Sequence, residues 1–125
     1  MDKHNCVVYI GESFTVEWYY DNVGFSQAYE YFLKTSNVQK RKFFILIKRI
    51  GDFGKISDIT KFRNEGNEIF AFKPQPDRFL SFFVKGKKIV ITNGFLKKAD
   101  KLPRNEKEKA IKYRSDYLSR FNEEE

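Results

Sequence analysis

Apolar and polar residues alternate from Phe14 to Tyr20, where Phe14, Val16, Trp18 and Tyr20 interleave with Thr15, Glu17 and Tyr19. That two-residue period predicts a strand with one face buried. After the turn residues Asp21-Asn22-Val23-Gly24 the period changes. Phe25, Ala28, Tyr29, Phe32 and Leu33 recur at spacings of three and four behind Ser26, a residue suited to capping, and predict a first helix. Thr35-Ser36-Asn37 ends it. A second helix is expected from about Val38, with Phe43, Leu46, Ile47 and Ile50 on one face and Gly51 as its stop. The two form a helical hairpin whose apolar stripes need a sheet to cover them.

The stretch from Asp52 to Asn67 is polar and broken by glycines, and reads as an irregular connection. Ile69-Phe70-Ala71-Phe72 predicts a second strand, and Pro74-Gln75-Pro76-Asp77 turns it, since proline cannot donate to a sheet ladder. Phe79 to Val84 is apolar on both faces, as a covered central strand should be. Lys85-Gly86-Lys87 turns into a fourth strand over the β-branched Ile89, Val90 and Ile91, which Asn93-Gly94 is expected to break. Beyond Pro103, residues Arg104 to Phe121 have a helical period, with Ala110, Ile111, Tyr113, Tyr117, Leu118 and Phe121 on one side. Val7 to Ile10 is a short apolar run that can add an edge strand or hairpin partner. The expected class is α+β, a helical hairpin packed on a small, mostly antiparallel four-stranded sheet with a C-terminal helix.

A length of 125 residues suits one domain, and 14 Phe with 7 Tyr imply an aromatic core. No apolar run approaches the roughly 18 residues of a membrane span. Met1 to Asn5 leads into no signal-peptide core, and the lone Cys6 cannot form an internal disulfide, so a reduced, cytoplasmic setting is expected. The net charge of +7 is unevenly placed. Lys34 to Arg63 carries +7 and Lys85 to Arg104 carries +6, while the remaining segments are each acidic on balance. Such segregation is the footprint of a polyanion binder, against the alternative of Lys-rich helices that are merely solvated.

The chain has no glycine-rich phosphate loop and no Cys or His cluster with metal spacing, and its single histidine is His4. No metal, nucleotide or other cofactor is expected. Lys, Arg and Tyr gathered at one end of a sheet suit one metal-free reaction, cleavage of RNA by its own 2′-hydroxyl. That step needs a base for the hydroxyl, positive charge on the phosphoryl oxygens and an acid for the leaving 5′-oxygen. An isolated lysine, with a pKa near ~10.4, is a poor base, but cations packed together lower one another's pKa. Lys97, Lys98 and Lys101 can supply both a base and phosphate clamps; the alternative for them is a solvated loop.

Gly94, Phe95, Lys97, Lys98, Lys101, Pro103, Glu106 and Ala110, with a strand before them and a helix after, resemble the C-terminal signature of the HigB-like branch of the RelE/ParE toxins. Upstream, Phe14 to Tyr20 and Asp21 to Phe32 resemble the family's opening strand and first helix. The resemblance runs from Phe14 to Phe121 within a single domain of residues 1–125, leaving 1–13 as an N-terminal extension and 122–125 as an acidic tail. It implies a RelE-like fold and the toxin of a type II toxin-antitoxin system, of bacterial or prophage origin, that cuts messenger RNA on the ribosome. The implied partners are that RNA and a cognate antitoxin, which would cover the basic surface with acidic residues or lay a helix or strand on an exposed edge.

By the same resemblance, Lys97 and Lys98 match the family's paired lysines and Lys101 its third. Arg78 matches the basic residue at the start of the third strand, where it would stabilise the phosphorane; the alternative is an ion pair with Asp77 or Glu68. Lys73 stands where the family often has Arg, and lysine cannot clamp phosphate in a bidentate way. Tyr117 and Arg114 lie on the last helix, which often contributes to the active surface, although Tyr117 also falls on the apolar stripe and suits core packing. The expected catalytic set is thus Lys73, Arg78, Lys97, Lys98 and Tyr117, and the expected RNA-binding set Lys55, Lys61, Arg63, Lys101 and Arg114. Two alternatives stand beside this reading: a non-nuclease binder of the ParE type, which inhibits gyrase, and a catalytically degenerate relative that binds RNA.

Overall fold

The computed structural model describes residues 6–121, so His4 and the acidic tail lie outside the described residues. In chain order the elements are β1 (Val7–Ile10), β2 (Thr15–Trp18), α1 (Gln27–Leu33), α2 (Asn37–Phe53), β3 (Phe62–Gly66), β4 (Ile69–Phe72), β5 (Asp77–Val84), β6 (Lys88–Leu96) and α3 (Arg104–Phe121). The six strands form one sheet in the order β1-β2-β6-β5-β4-β3. Its pairings are antiparallel except β2 with β6, which run parallel. The architecture is α+β, but the expected four-stranded sheet is corrected to six strands of mixed direction.

The two added strands are the edges. β1 is the apolar run Val7 to Ile10, paired with β2. β3 lies in the stretch that reads as an irregular connection, because an edge strand open to solvent shows polar residues where a buried strand would show a pattern. Only Phe62 announces it, by packing on Phe72 and stacking on Phe70 across the ladder. Asn67 and Glu68, both at positive φ, close the hairpin to β4.

Helices cover both faces of the sheet. On one side α1 and α2 bury Phe32, Phe43, Ile47 and Ile50 against Val16, Trp18, Phe79 and Ile91. On the other, α3 sets Ala110 and Tyr117 against Ile69, Leu80, Phe82 and Val90. β5 and β6 therefore carry buried residues on both faces, and the core is one of stacked and edge-on rings, with Trp18 parallel to Phe43 at 5.5 Å.

Ser26 caps α1 through Tyr29 N. α2 begins with a capping box, Ser36 and Gln39 bonding reciprocally, and ends at Gly54 in the left-handed region with φ 82°. Gly51 is consequently no stop, as its place at the end of the apolar stripe suggests. It is buried inside α2, where a Cβ would lie 2.7 Å from the Tyr9 ring, and its carbonyl accepts from the Ser13 and Phe14 amides. The β1–β2 turn sits directly on the helix backbone.

Asn93-Gly94 likewise does not break the fourth strand; β6 runs on to Leu96. β2 stops pairing at Trp18↔Ile91, which would leave the next backbone groups of β6 without a strand. The Gln27 side chain fills the gap, its Nε2 donating to Gly94 O at 2.7 Å and its Oε1 accepting from Gly94 N at 2.7 Å. α1 reaches that close because position 94 has no side chain: a Cβ there would lie 2.8 Å from Phe79 and 3.0 Å from Tyr31. On the opposite face Asn93, fully buried, donates to Glu106 O at 3.2 Å and Oε1 at 2.9 Å and so ties β6 to the first turn of α3. Thr92, at the bulge between them, bonds Leu80 O.

Two expectations follow. Gly94→Ala overpacks the α1 contact and destabilises by about 1–3 kcal/mol, whereas a glycine needed only for a turn would cost little at this extended position. Gln27→Ala strands two backbone groups and costs about 1–3 kcal/mol. Urea unfolding of both variants measures these differences.

Candidate functional site

The continuation of β6 decides where the lysines go. Strand ends β4, β5 and β6 converge on the α3 side of the sheet with the loop 97–103 and the first turn of α3, and enclose a cleft of about 850 Å³. Its floor is Ala71, Phe95, Leu102 and Pro103. Arg63 and Ala71 are register partners, as are Arg78 and Phe95, so the cations stand on the same sheet face as the floor.

Of the expected residues, Arg63, Lys73, Arg78, Lys97, Lys98 and Lys101 all line this cleft. Four others do not share it. Lys55 lies on the exposed connection after α2 and Lys61 lines a separate groove. Tyr117 is buried in the α3 core at 6% exposure, edge-on to Phe82, with its hydroxyl 3.1 Å from Lys88 Nζ at the opposite end of β6. Thirteen residues of α3 separate it from Arg104, roughly 20 Å of helix. Core packing, the other arrangement open to Tyr117 from its pattern, is the one observed. Arg114 is half-buried on the same helix, outside the cleft.

Three cleft residues escaped the sequence reading. Arg104 and Lys107 come from the first turn of α3, and Glu65 from β3. For Arg104 the signal was present, since it immediately follows Pro103 and closes the basic block; Lys107 lies beyond that block, and Glu65 had no signal because β3 itself was unseen. Eight cations thus face two carboxylates, Glu65 and Asp100. One of those carboxylates is taken up by a solvent-exposed pair, Lys97 with Asp100 at 3.0 Å, which contributes little energy.

Arg78 is held by hydrogen bonds, its Nη1 donating to Gln75 Oε1 at 3.2 Å and to Asp77 O at 2.9 Å. Among the described residues it makes no ion pair. Asp77 beside it is 1% exposed, and its carboxylate accepts instead from the Tyr31 hydroxyl and from Gln39 Nε2. Burial and that carboxylate push the Tyr31 pKa up, keeping the hydroxyl a donor. α1 and α2 thereby fix the first residue of β5, and Arg78 emerges on the other face. The Gln75–Pro76 peptide preceding it is cis.

Lys73, half-buried at the end of β4, donates to Ile59 O at 3.2 Å. Its pKa is lowered, first by burial and then by the charges of Arg78, Arg63 and Lys97, with Glu65 opposing. Burial also lowers that of Arg78, which stays a cation at any ordinary pH. The lowered pKa, due first to burial and only then to neighbouring cations, therefore falls on Lys73, a residue expected to serve as a weaker stand-in for arginine. A cleft so composed binds phosphate, and it contains an amine that gives up its proton more readily than a free lysine does.

Residues 30–115 match the family described as Phage derived protein Gp49-like (DUF891). The matched span holds every residue lining the cleft and excludes Tyr117. A search of curated proteins finds no match to the chain.

Because the folded-state pKa of Lys73 lies below its unfolded value, the folded protein is penalised for holding this amine charged. The penalty is complete below the folded pKa and is relieved as pH rises through it toward the unfolded value near ~10.4. Lys73→Met should therefore melt above the parent protein at neutral pH, and the difference should shrink as pH approaches that value. Thermal unfolding followed by circular dichroism across the range measures it.

Proposed function

The chain belongs to the Gp49-like family of phage-derived proteins, toxin-like proteins of the RelE toxin-antitoxin type, and from that premise we propose that it is a HigB-like toxin that cuts messenger RNA on the ribosome without a metal ion. The observation that carries this reading is the position of Lys73, its pKa lowered, beside Arg78 in a cleft that also holds Lys97, Lys98 and Lys101.

In this mechanism neutral Lys73 takes the proton of the 2′-hydroxyl. The 2′-oxygen attacks the adjacent phosphorus, the bond from phosphorus to the 5′-oxygen breaks, and a 2′,3′-cyclic phosphate remains. Arg78 bears on the phosphoryl oxygens as their charge grows, held in place by Gln75 and the Asp77 carbonyl. Lys97 or Lys98 protonates the departing 5′-oxygen. Arg63, Lys101, Arg104 and Lys107 line the flanks and hold neighbouring phosphates. The ring of Phe95 on the cleft floor offers the base-stacking surface that Tyr117, in the core, does not. The setting is the bacterial cytoplasm, and a cognate antitoxin restrains the activity.

The deciding experiment maps new 5′ ends on messenger RNA in a translating bacterial extract. With the parent protein, cuts should appear in phase with codons. Arg78→Ala should reduce them about 10²- to 10³-fold, the loss typical of a transition-state donor. Translation that proceeds with no cuts would overturn the nuclease reading.

A further inference from the structure

A second, smaller groove of about 270 Å³ lies alongside α2, separate from the cleft. Its floor is aliphatic, made by Ile45, Leu46, Ile56 and Pro74, and three cations from two segments rim it: Lys42 and Arg49 on α2, and Lys61 before β3. Ile45 is 61% exposed, an unusual setting for isoleucine on a helix whose other face is fully buried. The groove's one acid, Asp58, accepts through Oδ1 from the Thr60 amide and hydroxyl at 2.9 and 2.6 Å and keeps its charge, and with three cations to one acid the rim is positive on balance.

Aliphatic floor and cationic rim together select the occupant. RNA-binding surfaces present rings on which bases stack, and no aromatic side chain lines this groove. A peptide that alternates carboxylates with branched aliphatic side chains matches both parts: its apolar groups cover Ile45 and Ile56 while its carboxylates meet Lys42, Arg49 and Lys61.

Hydrogen bonds also link the groove to the cleft, although no residue lines both. Gln75, one of its lining residues, accepts from Arg78 through its side chain and from Lys42 Nζ through its carbonyl at 3.3 Å. Ile59, which follows Asp58, provides the carbonyl that holds Lys73. Side-chain bonds that orient the two central cations of the cleft thus end on Gln75, which lines the groove, and on Ile59, next to the lining residue Asp58.

We propose that this groove docks an acidic peptide segment carrying aliphatic side chains, and that its occupant draws Gln75 and the 58–61 segment away from Arg78 and Lys73, weakening the cleft's grip on RNA. Docking stands independently of the nuclease reading; the coupling rests on it.

The test uses the full chain with labelled Ile and Leu methyl groups, observed by NMR. The probes are a short acidic leucine-bearing peptide, the same peptide with lysine for each acid, and a short uncleavable RNA oligonucleotide. The acidic peptide should shift the Ile45, Leu46 and Ile56 methyls, and Arg49→Glu, on an exposed helix face, should weaken that binding about tenfold, the equivalent of one charged contact. The lysine peptide and the oligonucleotide should leave those methyls unmoved. Saturating acidic peptide should also weaken oligonucleotide binding several-fold in the parent protein but not in Gln75→Ala. Docking is overturned if the acidic peptide shifts nothing, or if the lysine peptide or the RNA shifts the same methyls equally. Docking without any change in oligonucleotide affinity overturns the coupling alone. Docking by a protein that binds no oligonucleotide supports the peptide site and overturns the RNA reading together with the coupling.

Discussion

Past the point where β2 leaves it, strand β6 keeps its ladder to β5 on one edge and has the Gln27 amide in place of the missing neighbour on the other, and that substitution needs the bare backbone of Gly94. An unpaired N–H and C=O at this depth would cost more than a typical hydrogen bond returns, so the Gln27 amide completes on one edge what the ladder to β5, which runs on to Leu96, provides on the other. The continuation of β6 delivers Phe95 to the floor of the cleft and lets the lysine loop start at the sheet's end. Asn93, one residue earlier and pointing the other way, binds Glu106 and brings the first turn of α3 to the same place. Adjacent residues of a pleated strand thus anchor opposite layers, and the cleft lies where both anchors meet.

The same end of the sheet holds charge that the fold must tolerate. Eight cations line the cleft, and burial lowers the pKa of both Lys73 and Arg78, a sign that their charged forms are held at some expense. Compensation comes from beneath, on the opposite face. The buried carboxylate of Asp77 accepts from Tyr31 and Gln39, joining both helices of the hairpin to the start of β5. A site that stores like-charge repulsion on a rigid, well-bonded strand end combines strain with precise placement, as binding and catalytic sites commonly do.

The connection between α2 and β3 and the turn between β4 and β5 serve two surfaces at once. Their hydrogen bonds steady Lys73 and Arg78 on the cleft side, and their side chains line the aliphatic groove on the other. Two cavities joined through Gln75 are not shaped independently, since a shift of that residue alters the partners of both Lys42 and Arg78.

Local periodicity by itself determined much of this protein: the cap at Ser26, the apolar stripes of α1, α2 and α3, the doubly buried β5 and the basic block from Lys85 to Arg104 that supplies four of the cleft's eight cations. Each depends on residues near one another in the chain, which is where pattern is informative. Three things were decided only by the tertiary structure. β3 is a strand because β4 offers it an edge, although its own residues are polar, and Glu65 enters the cleft with it. Gly51 and Gly94 look like stops but are close contacts with Tyr9, Phe79 and Tyr31, since a glycine's missing side chain has the same spelling in a turn and in a tight interface. And Tyr117 went to the core while Lys73 took the lowered pKa, because burial and the field of neighbouring charges belong to the assembled layers and are not properties of either residue alone.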